Sequence, residues 1–208
     1  MINGTIIEFD GNLYRLDILH GAERLLQDML NKCPKRVCIV RVDVRLPEEY
    51  RHDGGNAEIS YLFQRVVQHY ARRGIVISYL WVREQSTSHH PHYHCLIFFD
   101  GDHMWNGWSV RARVGETWQD IVQLTGDACV ELVAPPSGGH SVMIRHPLDD
   151  QRQAEFRAAL DDILFWSRYF AKTFSKGTAP TNVREFHTSR VPKDPGPLSF
   201  PSFTQPWR

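Results

Sequence analysis

The densest chemistry in this chain is the run His89-His90-Pro91-His92-Tyr93-His94. On a β-strand alternate side chains share a face, so His92 and His94 project together, about 7 Å apart along the strand, and Tyr93 points the other way. Two imidazoles at that spacing can converge on one metal ion. Glu84 stands at the end of the preceding apolar run, across a hairpin from His92, and its carboxylate is the natural third ligand. Two nitrogens and one oxygen with open positions suit Mg²⁺ or Mn²⁺, which keep waters and accept phosphate oxygens. The plain alternative is a polar hairpin of hydrogen-bonded histidines. A second alternative is zinc bound with Cys95 and either His89 or His90, although alternation turns Cys95 away from His92 and His94.

A second candidate group lies in the longest helical pattern, Gln151–Ser175, which contains Arg168-Tyr169-Phe170-Ala171-Lys172. Phe156, Leu160, Ile163, Phe170 and Phe174 form an apolar stripe at helical spacing. Tyr169 and Lys172 lie off that stripe, near Phe165 and Lys176 on the opposite side, and, three residues apart, are neighbours on the helix surface. A phenol with its ordinary pKa of about 10 is a weak nucleophile and needs a nearby cation and a polarised target. Lys172 can supply the charge, and a metal ion can polarise a phosphodiester. A stripe lying flat on a sheet would aim Tyr169 away from the histidines. The helix must therefore cross obliquely or pack partly on another element.

Several elements must position these groups. Arg36–Leu46 alternates as a strand, and Asn56 can cap a helix that runs to Arg73 and stops at Gly74. Ile75–Arg83 and His92–Phe99 read as a hairpin, and Ser109–Leu124 as a second helix. Cys129–Val133 or Ser141–Ile144 supplies a fourth strand, the two separated by the turn-rich Pro135–Gly139. The order from Arg36 is β-α-β-β-α-β, an α+β, ferredoxin-like pattern with two helices on one face of an antiparallel sheet. The other face is left for a site that the tyrosine helix could cover. Met1–Asn31 holds a short hairpin at Asp10-Gly11-Asn12 and a helix over Ala22–Leu30. Six prolines after Gly177 predict an extended tail. The expected divisions are residues 1–35 as an extension, 36–176 as the functional domain and 177–208 as the tail.

Composition narrows the class. The chain has 208 residues, 42% of them apolar and 23% charged, enough to bury a core and unlike a disordered protein. Its four cysteines form no Cys-x-x-Cys pair, and no apolar run approaches a membrane span, so a soluble cytoplasmic protein without a membrane partner is expected. Net charge is zero but unevenly distributed. Glu116–Asp162 carries nine acids against three arginines, while Arg65–Arg83 holds four arginines and no acid. That segregation allows an anion-binding face on a neutral molecule.

With His92-Tyr93-His94 on a strand, Glu84 upstream and Tyr169-x-x-Lys172 on a helix, the chain resembles the HUH endonucleases (His–hydrophobic–His). Within them it is similar to the prophage and filamentous-phage replication proteins of the YagK/YfjJ C-terminal type. The resemblance spans about Arg36–Arg190 and includes Arg184–Arg190. It implies a metal held by the paired histidines and an acidic residue, and a tyrosine that cleaves one DNA strand and stays linked to its 5′ phosphate. Lys172 matches the single-tyrosine Tyr-x-x-Lys variant. The first family motif appears only as Val37–Leu46, with Arg41 and Asp43 in place of hydroxyls, and the sequence has no Gly-x-x-x-x-Gly-Lys phosphate loop. The implied partners are single-stranded or origin hairpin DNA, with a host polymerase and helicase. The competing functions are a non-catalytic DNA-binding prophage regulator and a zinc-stabilised interaction module.

Overall fold

The computed structural model describes residues 4–85, 88–123, 129–145, 150–173, 179–192 and 195–205. The chain begins with the hairpin β1 (Ile6–Phe9) and β2 (Asn12–Arg15). Its two-residue turn has Asp10 at φ 53° and Gly11 at φ 68°, the left-handed pair that a tight hairpin requires. Helix α1 (Leu16–Lys32) follows directly and starts earlier than the expected Ala22. Gly21, a weak helix former, sits inside it because a Cβ there would lie 3.3 Å from Thr188 and 3.5 Å from Leu80. The bare backbone lets the helix press on the sheet.

The expected central elements are present as β3 (Arg36–Arg45), α2 (Ala57–Ala71), β4 (Ile77–Glu84), β5 (His92–Asp100) and α3 (Gly107–Val122). Asn56 precedes α2, but its side chain makes no cap. Its Nδ2 donates to the Arg184 carbonyl (2.8 Å), and its Oδ1 accepts from the Tyr93 hydroxyl (3.1 Å). Asn106 is the real cap of α3, its Oδ1 accepting from Trp108 N–H at 3.0 Å. The two candidates for a fourth strand both form. β6 (Val130–Val133) pairs with Arg41–Val44, and β7 (Val142–Arg145) resumes along Arg36–Ile39 on the same edge of β3. The intervening Pro135–Gly139 turn interrupts one strand rather than separating alternatives, since proline has no N–H for the ladder.

Helix α4 (Asp150–Ala171) is the longest element. The expected positions Phe174 and Lys176 lie outside the described residues. β8 (Phe186–Thr188) then pairs with the free edge of β4, giving the antiparallel order β6-β3-β5-β4-β8, with β7 paired to β3 in line with β6. The fold is α+β. On one face α2 and α3 cover Val40, Val42, Tyr93, Cys95 and Ile97. The opposite face, expected to be open, carries Ile39, Leu80, Val82, Leu96 and Phe98 beneath α1 and α4. No helix among the described residues is long and apolar enough to cross a membrane.

The described residues of the proline-rich stretch, 179–192 and 195–205, combine turns with β8, and the last of them pack on α1. α1 presents Glu23, Gln27 and Asn31 four residues apart, one above another on the helix. Phe203 N–H donates to Glu23 (2.5 Å), Ser199 N–H to Gln27 (2.7 Å), and Asn31 donates to the Pro195 carbonyl (2.9 Å). This polar ladder aligns the tail so that Phe203, 0% exposed, enters the core. Phe203→Ala is therefore expected to cost about 3–5 kcal/mol in urea unfolding. A loss below about 1 kcal/mol would mean that the tail lies outside the cooperative unit.

Candidate metal centre

The pleat and the register build the site. Glu84 stands opposite His92, and His94 lies between Val82 on β4 and Asp43 on β3. All of these side chains share the face covered by α1 and α4, at the end of the strands where the apolar rows stop. His94 Nε2 lies 3.1 Å from Glu84 Oε2, and His92 Nε2 lies 3.6 Å from the same oxygen. One ligand atom from each of the three residues falls within 4.8 Å of the others. Adjacent ligands of a divalent ion bonded at about 2.1 Å stand about 3 Å apart, so this spacing fits such an ion with little rearrangement. Glu84 and His94 are buried and His92 is half-buried, which leaves an approach from the His92 side.

Two polar residues complete the cluster, and the expected ligand set lacked both. Asp43 Oδ2 is 2.8 Å from His94 Nδ1, and Arg41 grips Asp43 through Nε (3.1 Å) and Nη2 (3.0 Å). An Nδ1–H held by a carboxylate fixes the ring and leaves Nε2 as the ligand atom. The signal was present in the sequence: Arg41, Asp43 and Arg45 alternate on a strand that, after Arg36, is otherwise built of valine, isoleucine and cysteine. A charged row on a buried strand must face partners of its own.

Burial works against charging His94, yet its hydrogen bonds to Asp43 and Glu84, and their charges, outweigh that and raise its pKa above the ordinary value. Burial also pushes Asp43 up, while His94 and Arg41 pull harder and leave it lowered. In the metal-free protein, His94 then contributes stability that is complete below about pH 6.5 and disappears as pH rises through its raised pKa. Asp43 contributes above about pH 3.9 and is lost in acid. A metal must displace the His94 proton, so the rise in Tm produced by saturating Mn²⁺ is expected to grow between about pH 6 and about pH 8. A rise that shrinks over that interval would exclude His94 as a ligand.

Tyr169 reaches this cluster from α4. Its ring centroid is 5.2 Å from that of His94, nearly perpendicular at 83°, and 4.6 Å from Arg41 Cζ. The apolar stripe does face the sheet. Phe156, Leu160, Ile163 and Phe170 are all buried, and Tyr169, expected on the opposite side with the exposed Phe165, instead lies on the flank of that sector, about 100° round the helix from Phe170 and packed against the core. Asp162 occupies the same flank two turns earlier and accepts from Ser137 N–H (3.1 Å) and Oγ (2.5 Å), tying the Pro135–Gly139 turn to α4. At the other end, Thr173 N–H donates to Leu13 O (3.2 Å), and Arg168 lies over Phe9, with Cζ 4.5 Å from its ring centroid. The N-terminal hairpin thus seats the end of the tyrosine helix. Lys172 closes that helix, its N–H donating to the Arg168 carbonyl (3.1 Å) and its backbone bridging Tyr14.

The zinc alternative loses its thiol. Cys95 is fully buried in the α2–α3 core, on the far side of the sheet from His92 and His94. His90 also turns away, with its Nε2 3.2 Å from the Glu48 carbonyl. Among the described residues, Glu84, His92 and His94 are therefore the group that could hold a divalent metal ion. No curated protein and no solved structure matches the chain. The family model of the YagK/YfjJ C-terminal domain matches residues 2–189, covering the hairpin, both helical layers and the whole sheet through β8. The chain belongs to the YagK/YfjJ C-terminal domain family, a prophage-associated family.

Proposed function

We propose that this protein is an HUH-type, metal-dependent endonuclease and ligase for single-stranded DNA that works through a 5′-phosphotyrosine. The observation that carries the reading is the dual environment of His94, which touches Glu84 on one side and the Tyr169 ring on the other. Net charge supports it. Arg41 offsets Asp43, and Glu84 offsets half the charge of a divalent ion, leaving one positive charge to meet the single negative charge of a phosphodiester.

Glu84, His92 and His94 would hold Mg²⁺ or Mn²⁺. When bound, such an ion polarises a non-bridging phosphodiester oxygen. The Tyr169 oxygen attacks phosphorus in line, giving up its proton to solvent, and as the Tyr–O–P bond forms the O3′–P bond breaks and the leaving 3′ oxygen takes a proton from solvent to become a hydroxyl. Lys172, one turn further on, meets the charge that accumulates on phosphate. The 5′ end stays on Tyr169, so attack by a 3′ hydroxyl rejoins the strand without another energy source. In a phage or prophage element the freed 3′ hydroxyl would prime a host polymerase, with a host helicase opening the duplex in the cytoplasm. Origin hairpin DNA would present the single strand.

Incubation with single-stranded DNA and Mn²⁺, followed by a denaturing gel, tests this directly. A covalent protein–DNA band is expected. DNA binding without the band would instead mark a non-catalytic regulator on the same fold.

A further inference from the structure

Arg41 touches both halves of the site with different parts of one group. It is 5% exposed, and its guanidinium edge makes two hydrogen bonds to Asp43, which holds His94 Nδ1. Its centre lies 4.6 Å from the Tyr169 ring centroid and 5.2 Å from that of Phe170. A planar guanidinium can fork onto a carboxylate along its edge and stack on an aromatic ring across its face at the same time. A lysine ammonium cannot do both.

We propose that Arg41 is a positioning residue that couples the metal ligands to Tyr169. Its Nε and Nη2 hold Asp43, Nη2 also lies 3.3 Å from His94 Nδ1, and its Cζ sits over the Tyr169 ring, so the one group bears on the angles of both rings. The role given to Tyr169 rests on the proposed nuclease reading; the coupling rests on these contacts alone. Coupling is reciprocal in equilibrium. Loosening the arginine must weaken metal binding and free the phenol ring, and removing the ring must weaken metal binding both through the arginine and through its own edge contact with His94.

The test uses the full chain. Mn²⁺ affinity is read from the free-ion electron paramagnetic resonance signal. The order of Tyr169 is read by ¹⁹F NMR of metal-free protein carrying fluorotyrosine, with the resonance assigned through Tyr169→Phe. Arg41→Lys is expected to weaken Mn²⁺ about tenfold and to move the Tyr169 line toward that of free tyrosine, the other tyrosine lines staying in place. Asp43→Asn is expected to weaken Mn²⁺ by about 10–100-fold while leaving the Tyr169 line nearly in place. Tyr169→Leu is expected to weaken Mn²⁺ about fivefold in the wild-type background and by no more than about twofold in the Arg41→Lys background, where only its own edge contact with His94 is left to lose.

The proposal is overturned if Arg41→Lys leaves Mn²⁺ affinity within about twofold, or leaves the Tyr169 line unmoved. It also fails if Asp43→Asn moves that line as far as Arg41→Lys does. Should Arg41→Lys not fold, Arg41→Gln takes its place under the same two limits, and an unchanged Mn²⁺ affinity in Tyr169→Leu also ends the proposal. Absence of a DNA adduct from the wild-type protein would remove the nuclease reading, while both of these readouts would still decide the coupling.

Discussion

Tyr169→Phe is expected to remove the covalent protein–DNA band, a loss on the order of 10³-fold or more, with Mn²⁺ affinity changed by less than about threefold. The contrast follows from what the substitution deletes. A phenylalanine ring keeps the stacking on Arg41 and the edge contact with His94, so the metal ligands keep their support. Only the phenol oxygen goes. The remaining tyrosines are poor substitutes. Tyr93 and Tyr70 are buried in the α2–α3 core, and Tyr79 stacks on Phe63 at 4.1 Å on that same side. Tyr50 donates to Glu58 (3.1 Å), and Tyr61 is exposed on α2. Tyr14 is the one other tyrosine in the α1–α4 core, buried and stacked on Phe9 at 4.4 Å, and burial raises its pKa. A band that survives Tyr169→Phe would point to Tyr14 and overturn the assignment of Tyr169 as nucleophile.

His94→Ala is expected to abolish Mn²⁺ binding, with an affinity loss of at least about 10³-fold, and to cost the metal-free protein about 3 kcal/mol at neutral pH. Both effects have one cause. His94 is 3% exposed and sits between two buried carboxylates, so its removal takes a donor from each and leaves a hole beneath α4. His92→Ala supplies the contrast. His92 is half-buried at the mouth of the site, so its loss is expected to damage metal binding severely and to change stability by less than about 1 kcal/mol. Calorimetric titration with Mn²⁺ and urea unfolding without metal separate the two quantities. Near-wild-type Mn²⁺ binding by His94→Ala would remove this cluster as the metal centre.

Much of this arrangement was legible in the linear order of residues, for a simple reason. In a strand each side chain's face follows from its parity, and in a helix from its angle. Local patterning therefore determined that His92 and His94 share a face, that Cys95 and Tyr93 occupy the other, and that Glu84 ends the strand paired with His92. The same rule brought out the strands, the helices and the buried stripe of α4. Asp43 was visible as a charged residue on an apolar strand, but its partner was not, because the pairing of β3 with β5 joins residues some fifty positions apart.

What lies between elements was decided only in three dimensions. The coverage of the second sheet face by α1, the capture of the tail by the Glu23–Gln27–Asn31 ladder, and the pairing of β8 with β4 all involve residues distant in the chain. So does the seat of Tyr169 between Arg41 and His94. Sequence periodicity says which side of α4 is apolar; the supports at Asp162 and at the N-terminal hairpin say where its flank comes to rest. Such placements minimise exposed area and unpaired charge over the whole molecule at once, and no single stretch of chain contains that sum.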